Sequence, residues 1–311
     1  MENKVCHQKI VKLMGNRFEF TVIAGDHLLA EEAITAAVAE VSRIEELLST
    51  FRDNSQTNLV NRHAGIQPVR VDNEVIRLIL RSQKISGLTQ GAFDITYGSI
   101  DRSLWNFDVK MTALPDQQRA LQSVSLINYK NIIVNSLDST VMLKHRGMRI
   151  GFGGIGKGYA ADCARAVLQQ KGIESGIVNA AGDLTTWGTA QNGMPWTIGI
   201  ADPVQKDRPF STLNISNLAI ATSGDYEKYA VINGKRYAHT IDPKTGLPIS
   251  GIKSASILCK SAELADALAT PVVVMGVKVG LNLINQLRQV ACVIIDDEGH
   301  LHTSKNINLK Y

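Results

Sequence analysis

The dipeptide Asn233-Gly234, inside Tyr229-Ala-Val-Ile-Asn-Gly-Lys-Arg-Tyr237, constrains this chain more than any other stretch. A two-residue loop in which both residues tolerate positive φ selects a type I′ turn, so the flanking residues read as an antiparallel hairpin. Polar side chains crowd both of its ends. Thr222, Ser223 and Asp225 precede it, and His239, Asp242 and Thr245 follow it. Because a hairpin returns the chain toward its start, the two clusters are expected side by side. The run from Asp242 to Gly246 also has the composition of a plain turn, and a turn on a rigid scaffold can carry function.

The rest of the pattern mixes hairpins with helices. A strand is expected over 19–24. A helix capped by Asp26 then carries Leu29, Ala33, Ala36, Ala37, Val41, Ile44 and Leu48 at helical spacing. A polar loop over 52–57, an extended piece over 69–71 and a helix capped by Asn73, with Val75, Ile76, Ile79 and Leu80 inward, come next. A loop with Trp105 and Phe107 leads to a third helix opened by Pro115 and Asp116. A hairpin is expected over 132–143, then a glycine-rich loop over 151–158 feeding a helix to about 170. Strands follow near 176–178, 196–200, 211–215 and 219–221. Beyond the central hairpin come a strand over 254–258, helices over about 261–288 and a last hairpin around 296–299. Hairpins outnumber βαβ units, which argues for an α+β fold built on antiparallel sheets. No linker or fixed repeat divides the 311 residues, so one domain over 1–311 is expected.

Composition narrows the function class. The net charge of +4 includes no Lys/Arg-rich run, so no nucleic-acid footprint is present. The four cysteines, Cys6, Cys163, Cys259 and Cys292, lack zinc-type spacing, and the last three read as buried thiols. No stretch reads as a membrane span, and the first residues are polar. A cytoplasmic location is therefore expected, the alternative being a periplasmic lipoprotein whose leader has been removed.

Two further patterns touch chemistry. Gly151, Gly153 and Gly156 fit a dinucleotide fingerprint, and 151–157 fits the start of a phosphate-binding loop. However, Gly158 stands where a magnesium-holding Ser or Thr belongs, and Glu174 lies before the next strand instead of at its end. What remains is a set of small residues, Lys157 and a helix N-terminus, which suits a phosphate. Asp266 and Thr270 stand at i and i+4, which puts a carboxylate and a hydroxyl on one helix face. Such a pair suits magnesium, and equally the polar edge of an ordinary helix. Pro271 is expected to bend or break that helix.

Taken in order, these pieces resemble the ApbE family of FAD:protein FMN transferases over nearly the whole chain. Met14-Gly15, Ser49-Thr-Phe-Arg52 with Ser55, and Gly91-Ala-Phe-Asp-Ile-Thr96 are similar to its early motifs. Gly153-Gly-Ile-Gly-Lys-Gly-Tyr159 with Asp162, Ala181-Gly-Asp183, Asp202-Pro203, Thr222-Ser-Gly-Asp225, His239-Thr-Ile-Asp-Pro243, Thr245-Gly246 and Asp266 with Thr270 are similar to its later ones. Gly156 stands where the family usually has alanine, which is expected to loosen the loop. Phe51 replaces a usual tyrosine and Gln56 a usual glutamate.

The resemblance implies two intertwined lobes of mainly antiparallel sheet packed with helices, with a ligand cleft between them. It implies Mg²⁺-dependent transfer of FMN from FAD to a Ser or Thr hydroxyl of an acceptor flavoprotein, with release of AMP. By position, Asp266, Thr270 and the carbonyl of Gly156 would hold the metal. His239 would be the base, with Asp242 orienting it or aiding the metal. Met14 and Phe51 would sandwich the flavin ring, and Asp94, Lys157, Asp183, Ser223 and Asp225 would line the flavin and phosphate site. Two other readings stay open: an FAD-binding protein without transfer, and a Mg²⁺-dependent FAD pyrophosphatase. An NAD-type oxidoreductase is more distant.

Overall fold

The computed structural model describes residues 5–101, 104, 113–201, 209–224 and 229–307. The chain opens with a hairpin, β1 (Val5–Leu13) and β2 (Asn16–Ala24), turned at Met14 and Gly15 with φ of 50° and 74°. β1 is absent from the sequence reading because it is an edge strand. Its residues stay exposed or half-exposed up to Leu13, so no buried stripe marks it.

α1 (His27–Leu48) starts where Asp26 accepts the Leu28 N–H at 3.0 Å. Its buried stripe runs through Ala30, Ala33, Ile34, Ala37, Val41, Ile44 and Leu48, while Leu29 faces solvent. The expected polar loop ends early, because Ser55 caps a short α2 (Gln56–Arg62) by accepting the Asn58 N–H. After β3 (Val69–Arg70), α3 (Asn73–Leu88) has Asp72 as its N-cap instead of Asn73. A 3₁₀ turn, Ile95–Ser99, is followed by α4 (Gln117–Ser123) and the predicted hairpin of β4 (Ile132–Asn135) and β5 (Thr140–Leu143). Trp105, Phe107 and Asp202-Pro203 lie outside the described residues.

α5 (Gly156–Gln170) precedes β6 (Ser175–Ala180), β7 (Asp183–Trp187), β8 (Trp196–Ala201), β9 (Pro209–Ile215) and β10 (Ala219–Gly224). β7 was not foreseen, because its Asp-Leu-Thr-Thr-Trp run is buried throughout and shows no alternation. The central hairpin forms as expected. β11 (Tyr229–Ile232) and β12 (Lys235–Ala238) turn at Asn233 and Gly234 with φ of 51° and 76°. β13 (Ile252–Cys259), α6 (Ala262–Gln286), β14 (Ala291–Asp296) and β15 (Leu301–Thr303) complete the chain.

Eight strands form one sheet in the order β1-β2-β6-β7-β10-β13-β14-β15, antiparallel at every step. A small sheet, β3-β5-β4, is drawn from the middle of the chain, between segments that enter the large one. The lobes are therefore interleaved, in an α+β architecture. One face of the large sheet buries Phe18, Phe20, Val22, Ala219, Ala221, Ile257 and Ile294 with α1, α5 and α6. The other face presents Leu184, Ile220, Leu258 and Val293, packed with Ile198, Leu213 and Ile215 of the β8–β9 ribbon. The period of two between these sets fixes the register, since a one-residue slip would exchange the faces.

Two expectations about α6 need correction. The helix continues through Pro271, and the non-helical backbone lies at Gly276, with φ 78° and ψ 168°. Proline fixes a helical φ, and the glycine absorbs the bend five residues later. α6 is also long and apolar enough to cross a bilayer, contrary to the reading that no stretch is. Its first half instead packs into the core, with Ala265, Ala267, Leu268, Ala269 and Val272 buried.

Candidate active site

The site is built where α5 and α6 cross. The two helices run antiparallel over their first turns, and each caps the other. Asp162 of α5 accepts the Ser261 hydroxyl at 2.8 Å and the Ala262 and Glu263 amides at 3.1 and 3.0 Å. Asp266 of α6 accepts the Gly158 N–H at 3.0 Å, within the first turn of α5. Helix N-termini carry unpaired amides and a positive dipole end, so a carboxylate there is doubly favoured. The crossing is close enough that a β-carbon on Gly158 would sit 2.1 Å from the Ala262 carbonyl oxygen.

Lys157 extends from this turn to the buried Asp183 at the start of β7, with which it forms a short ion pair, and its Nζ lies 3.8 Å from Asp266. Burial opposes the lysine's charge, but Asp266 and Asp183 outweigh it and its pKa is raised. Burial pushes Asp183 up, against the pull of Lys157 and the Thr222 amide. Burial likewise pushes Asp266 up, to about 7, with Asp183 adding to the rise while Lys157 and the α5 amides oppose it. Two buried carboxylates thus share one ammonium.

Beside them, Thr270 meets Ser223 of β10, their hydroxyl oxygens 3.2 Å apart. Asp266 and Thr270 do face the same way, as their spacing required. The arrangement differs from the expected phosphate cradle, however. The Gly158 amide is taken by Asp266, and Lys157 is engaged by carboxylates, so neither is an open anion donor. Asp225 lies outside the described residues.

A second group lies where the Met14 turn approaches the α1–α2 loop. Ser49 accepts the Phe51 and Arg52 amides at 3.0 and 3.2 Å, and Asn58 donates to the Thr50 and Arg52 carbonyls. This well-tied loop holds Phe51 with 95% of its surface exposed. The ring is thus presented to solvent by a loop fixed through its backbone. Glu45 links the two pieces, accepting the Met14 N–H at 2.9 Å and pairing with Arg52 at 3.7 Å. Sequence reasoning missed Glu45, which reads as an ordinary charge near the end of α1.

Gly156 is not in a loose loop. It is the first residue of α5, and its N–H donates to the Phe152 carbonyl at 2.6 Å. A β-carbon there would meet Phe152 at 3.4 Å and the Met14 methyl at 3.7 Å, which is ordinary contact. Gly156→Ala is therefore expected to stabilise the protein by about 0.4–1 kcal/mol through the unfolded chain and to keep activity, as urea unfolding and an assay will check.

The third group is the arm after the hairpin. His239 is exposed, and Asp242 accepts the Lys244 amide at 2.9 Å within its own turn. The arm is tied by Ala238 N–H to the Ile249 carbonyl, Asp242 N–H to the Leu247 carbonyl and Gly246 N–H to the Asp242 carbonyl. Ile241 anchors it in a small cluster with Ile100 and Val124, and Gly246, at φ 70°, lies against the backbone of Ala120. The turn reading of 242–246 is thus correct for its geometry. A cleft of about 380 Å³ opens beside this arm, lined by Gly91, Asp94, Tyr129, Lys130, Pro243 and Lys244. Asp94 is buried and already bound: it accepts the Thr96 amide and hydroxyl at 2.8 and 2.7 Å and the Tyr129 amide at 2.7 Å. It therefore shapes the cleft wall as a cap. Burial pushes the thiols of Cys163, Cys259 and Cys292 up to about 11, 11 and 12, which disfavours the thiolate form.

The donor set suits a hard dication. Asp266 supplies a buried carboxylate next to a hydroxyl, and the surplus negative charge around Lys157 is what such an ion would neutralise. Among the described residues, then, Lys157, Asp183 and Asp266 form one cluster and Thr270 pairs with Ser223 one turn along α6 from Asp266; Met14 lies near Gly156 and is joined through Glu45 to the loop that holds Phe51, and His239 and Asp242 stand on the arm after the hairpin.

Comparison with known proteins identifies the family and the fold. The ApbE family model matches residues 14–294. An FAD:protein FMN transferase of Vibrio cholerae is 31% identical over 83% of this chain and 78% of its own. One from Klebsiella pneumoniae is 27% identical over 100% of this chain and 95% of its own. The crystal structure of the ApbE protein of Thermotoga maritima superposes with a TM-score of 0.85 at 29% identity, covering 97% of each chain. The flavin transferase ApbE of Vibrio cholerae does so at 0.81 and 27%, covering 97% of this chain and 98% of that one. With most of its length matched and its buried Lys157–Asp183–Asp266 cluster falling inside the match, this chain belongs to the ApbE family.

Proposed function

We propose that this protein is a transferase that moves FMN from FAD to a Ser or Thr hydroxyl of an acceptor flavoprotein, with Mg²⁺ bound and AMP released. The observation that carries the reading is the pair of buried carboxylates, Asp183 and Asp266, sharing one lysine beside the Thr270 hydroxyl. Relatives named for this activity share the fold and most of the sequence span.

In the reaction the acceptor oxygen bonds the FMN-side phosphorus. The pyrophosphate P–O bond breaks with its electron pair leaving on AMP, and the hydroxyl proton passes to His239. Asp266 and Thr270, with the Gly156 carbonyl, would hold Mg²⁺, whose charge would neutralise the pyrophosphate. Lys157 and Asp183 keep Asp266 in place, and Phe51 and Met14 offer apolar faces to the flavin ring. His239 is exposed on the arm, where the hydroxyl of a protein acceptor can reach it.

Mass spectrometry of candidate acceptors incubated with FAD and Mg²⁺ tests this. A gain of one FMN with AMP released, absent in Asp266→Ala, supports it. Free FMN and AMP without a labelled acceptor replaces transfer with pyrophosphatase activity. Phe51→Ala is expected to weaken FAD binding about tenfold, the worth of one aromatic stacking contact, as flavin fluorescence titration will show. Its thermal midpoint should not move, since the ring buries nothing in the fold.

A further inference from the structure

The β14–β15 turn collects four potential metal ligands away from the residues assigned above. Asp296 is buried at the end of β14. Its Oδ1 accepts the Glu298 and His300 amides at 3.1 and 2.7 Å, which fixes the carboxylate and points Oδ2 outward. Two imidazoles converge on that oxygen: His302 Nε2 at 2.8 Å and His300 Nδ1 at 3.2 Å. The Glu298 carboxylate lies within the same group, and one ligand atom from each of Asp296, Glu298 and His300 falls within 4.8 Å of the others.

We infer that this turn binds one divalent transition ion of the zinc, nickel or copper class. The chemistry is that of imidazole and carboxylate, which suits those ions better than magnesium. Bonds of about 2.0–2.1 Å in a tetrahedral sphere place ligand atoms roughly 3.3 Å apart, near the 3.2 and 2.8 Å that separate Asp296 Oδ2 from His300 Nδ1 and His302 Nε2. The exposed Glu298, within 4.8 Å of Asp296 and His300, would close in by rotation of its side chain. The turn is rigid: Gly299 takes φ 90°, and Asp297 accepts the Gly251 amide at 2.7 Å, tying the turn to the entry of β13. A bound ion would pin β15 to the edge of the large sheet.

The test is calorimetric titration of untagged full-length protein with ZnCl₂ and with NiCl₂, repeated on His300→Ala/His302→Ala and on Asp266→Ala. One ion per chain is expected, with affinity falling at least about tenfold in the double-histidine variant and unchanged in Asp266→Ala. Zn²⁺ should also raise the thermal midpoint of the wild type and not of the double variant. Equal affinity in the double variant, or no binding by the wild type, overturns the inference. Loss confined to Asp266→Ala does so too, since the ion would then be occupying the first site.

Discussion

Asp266→Asn loses at least about a hundredfold in activity while unfolding within about 1 kcal/mol of the wild type, as an FMN-transfer assay and urea titration will show. The two readouts separate because Asp266 has two jobs. As an acceptor it caps α5 through the Gly158 amide. The Asn side chain retains a carbonyl oxygen for that bond, although a neutral acceptor is weaker than a charged one. Against that loss stands the removal of a negative charge that burial, and after it the neighbouring Asp183, disfavours. The terms oppose each other, and Lys157 keeps its pairing with Asp183. As a charge, however, Asp266 is the carboxylate that stands one helical turn from Thr270, while Asp183 is engaged by Lys157. Asp266→Ala differs by losing the cap as well, costing about a further 1–2 kcal/mol. Equal activity in Asp266→Asn would leave Asp266 as a cap alone.

Gly158→Ala reverses the usual rule for a helix. Glycine to alanine inside a helix is normally stabilising by about 1 kcal/mol. Here the added carbon would lie 2.1 Å from the Ala262 oxygen, 2.5 Å from its carbonyl carbon and 2.8 Å from the Asp266 β-carbon. Two of these are backbone atoms at the start of α6, so no side-chain rotation relieves them. α6 must retreat from α5, which breaks both reciprocal caps and carries Asp266 and Thr270 away from Lys157 and Ser223. A loss of about 3 kcal/mol or more and of nearly all activity is expected, read by urea unfolding and the transfer assay. Gly156→Ala, two residues earlier on the same helix, is the internal control. Its opposite sign would show that the contact with α6, and not glycine in a helix as such, decides the outcome.

Much of the fold is legible from local signals. The Asn233-Gly234 hairpin, the Asp26 and Asp116 caps and the β4–β5 hairpin each rest on residues adjacent in the chain. β1 and β7 are illegible for opposite reasons: β1 alternates only between exposed and half-exposed positions before Leu13, and β7 is buried throughout. In the site, the shared helix face of Asp266 and Thr270 follows from 3.6 residues per turn. Asp94 is assigned to the flavin site by resemblance alone; the structure adds that its carboxylate lines the cleft while accepting bonds from Thr96 and Tyr129, partners that its local sequence only half reveals.

By itself the sequence determined which residues are polar, which turn types are available and which side chains share a helix face, because these depend on neighbours within a few positions. Only the tertiary structure decided that Lys157 answers to Asp183 and Asp266, that Asp162 and Asp266 cap each other's helices, and that Glu45 joins Met14 to the Phe51 loop. Those pairings span tens to more than a hundred residues of chain. Those around Lys157, Asp162 and Asp266 exist because packing α5 and α6 at glycine distance removes water from charged groups, and a buried charge persists only where a partner from elsewhere in the chain is brought to meet it.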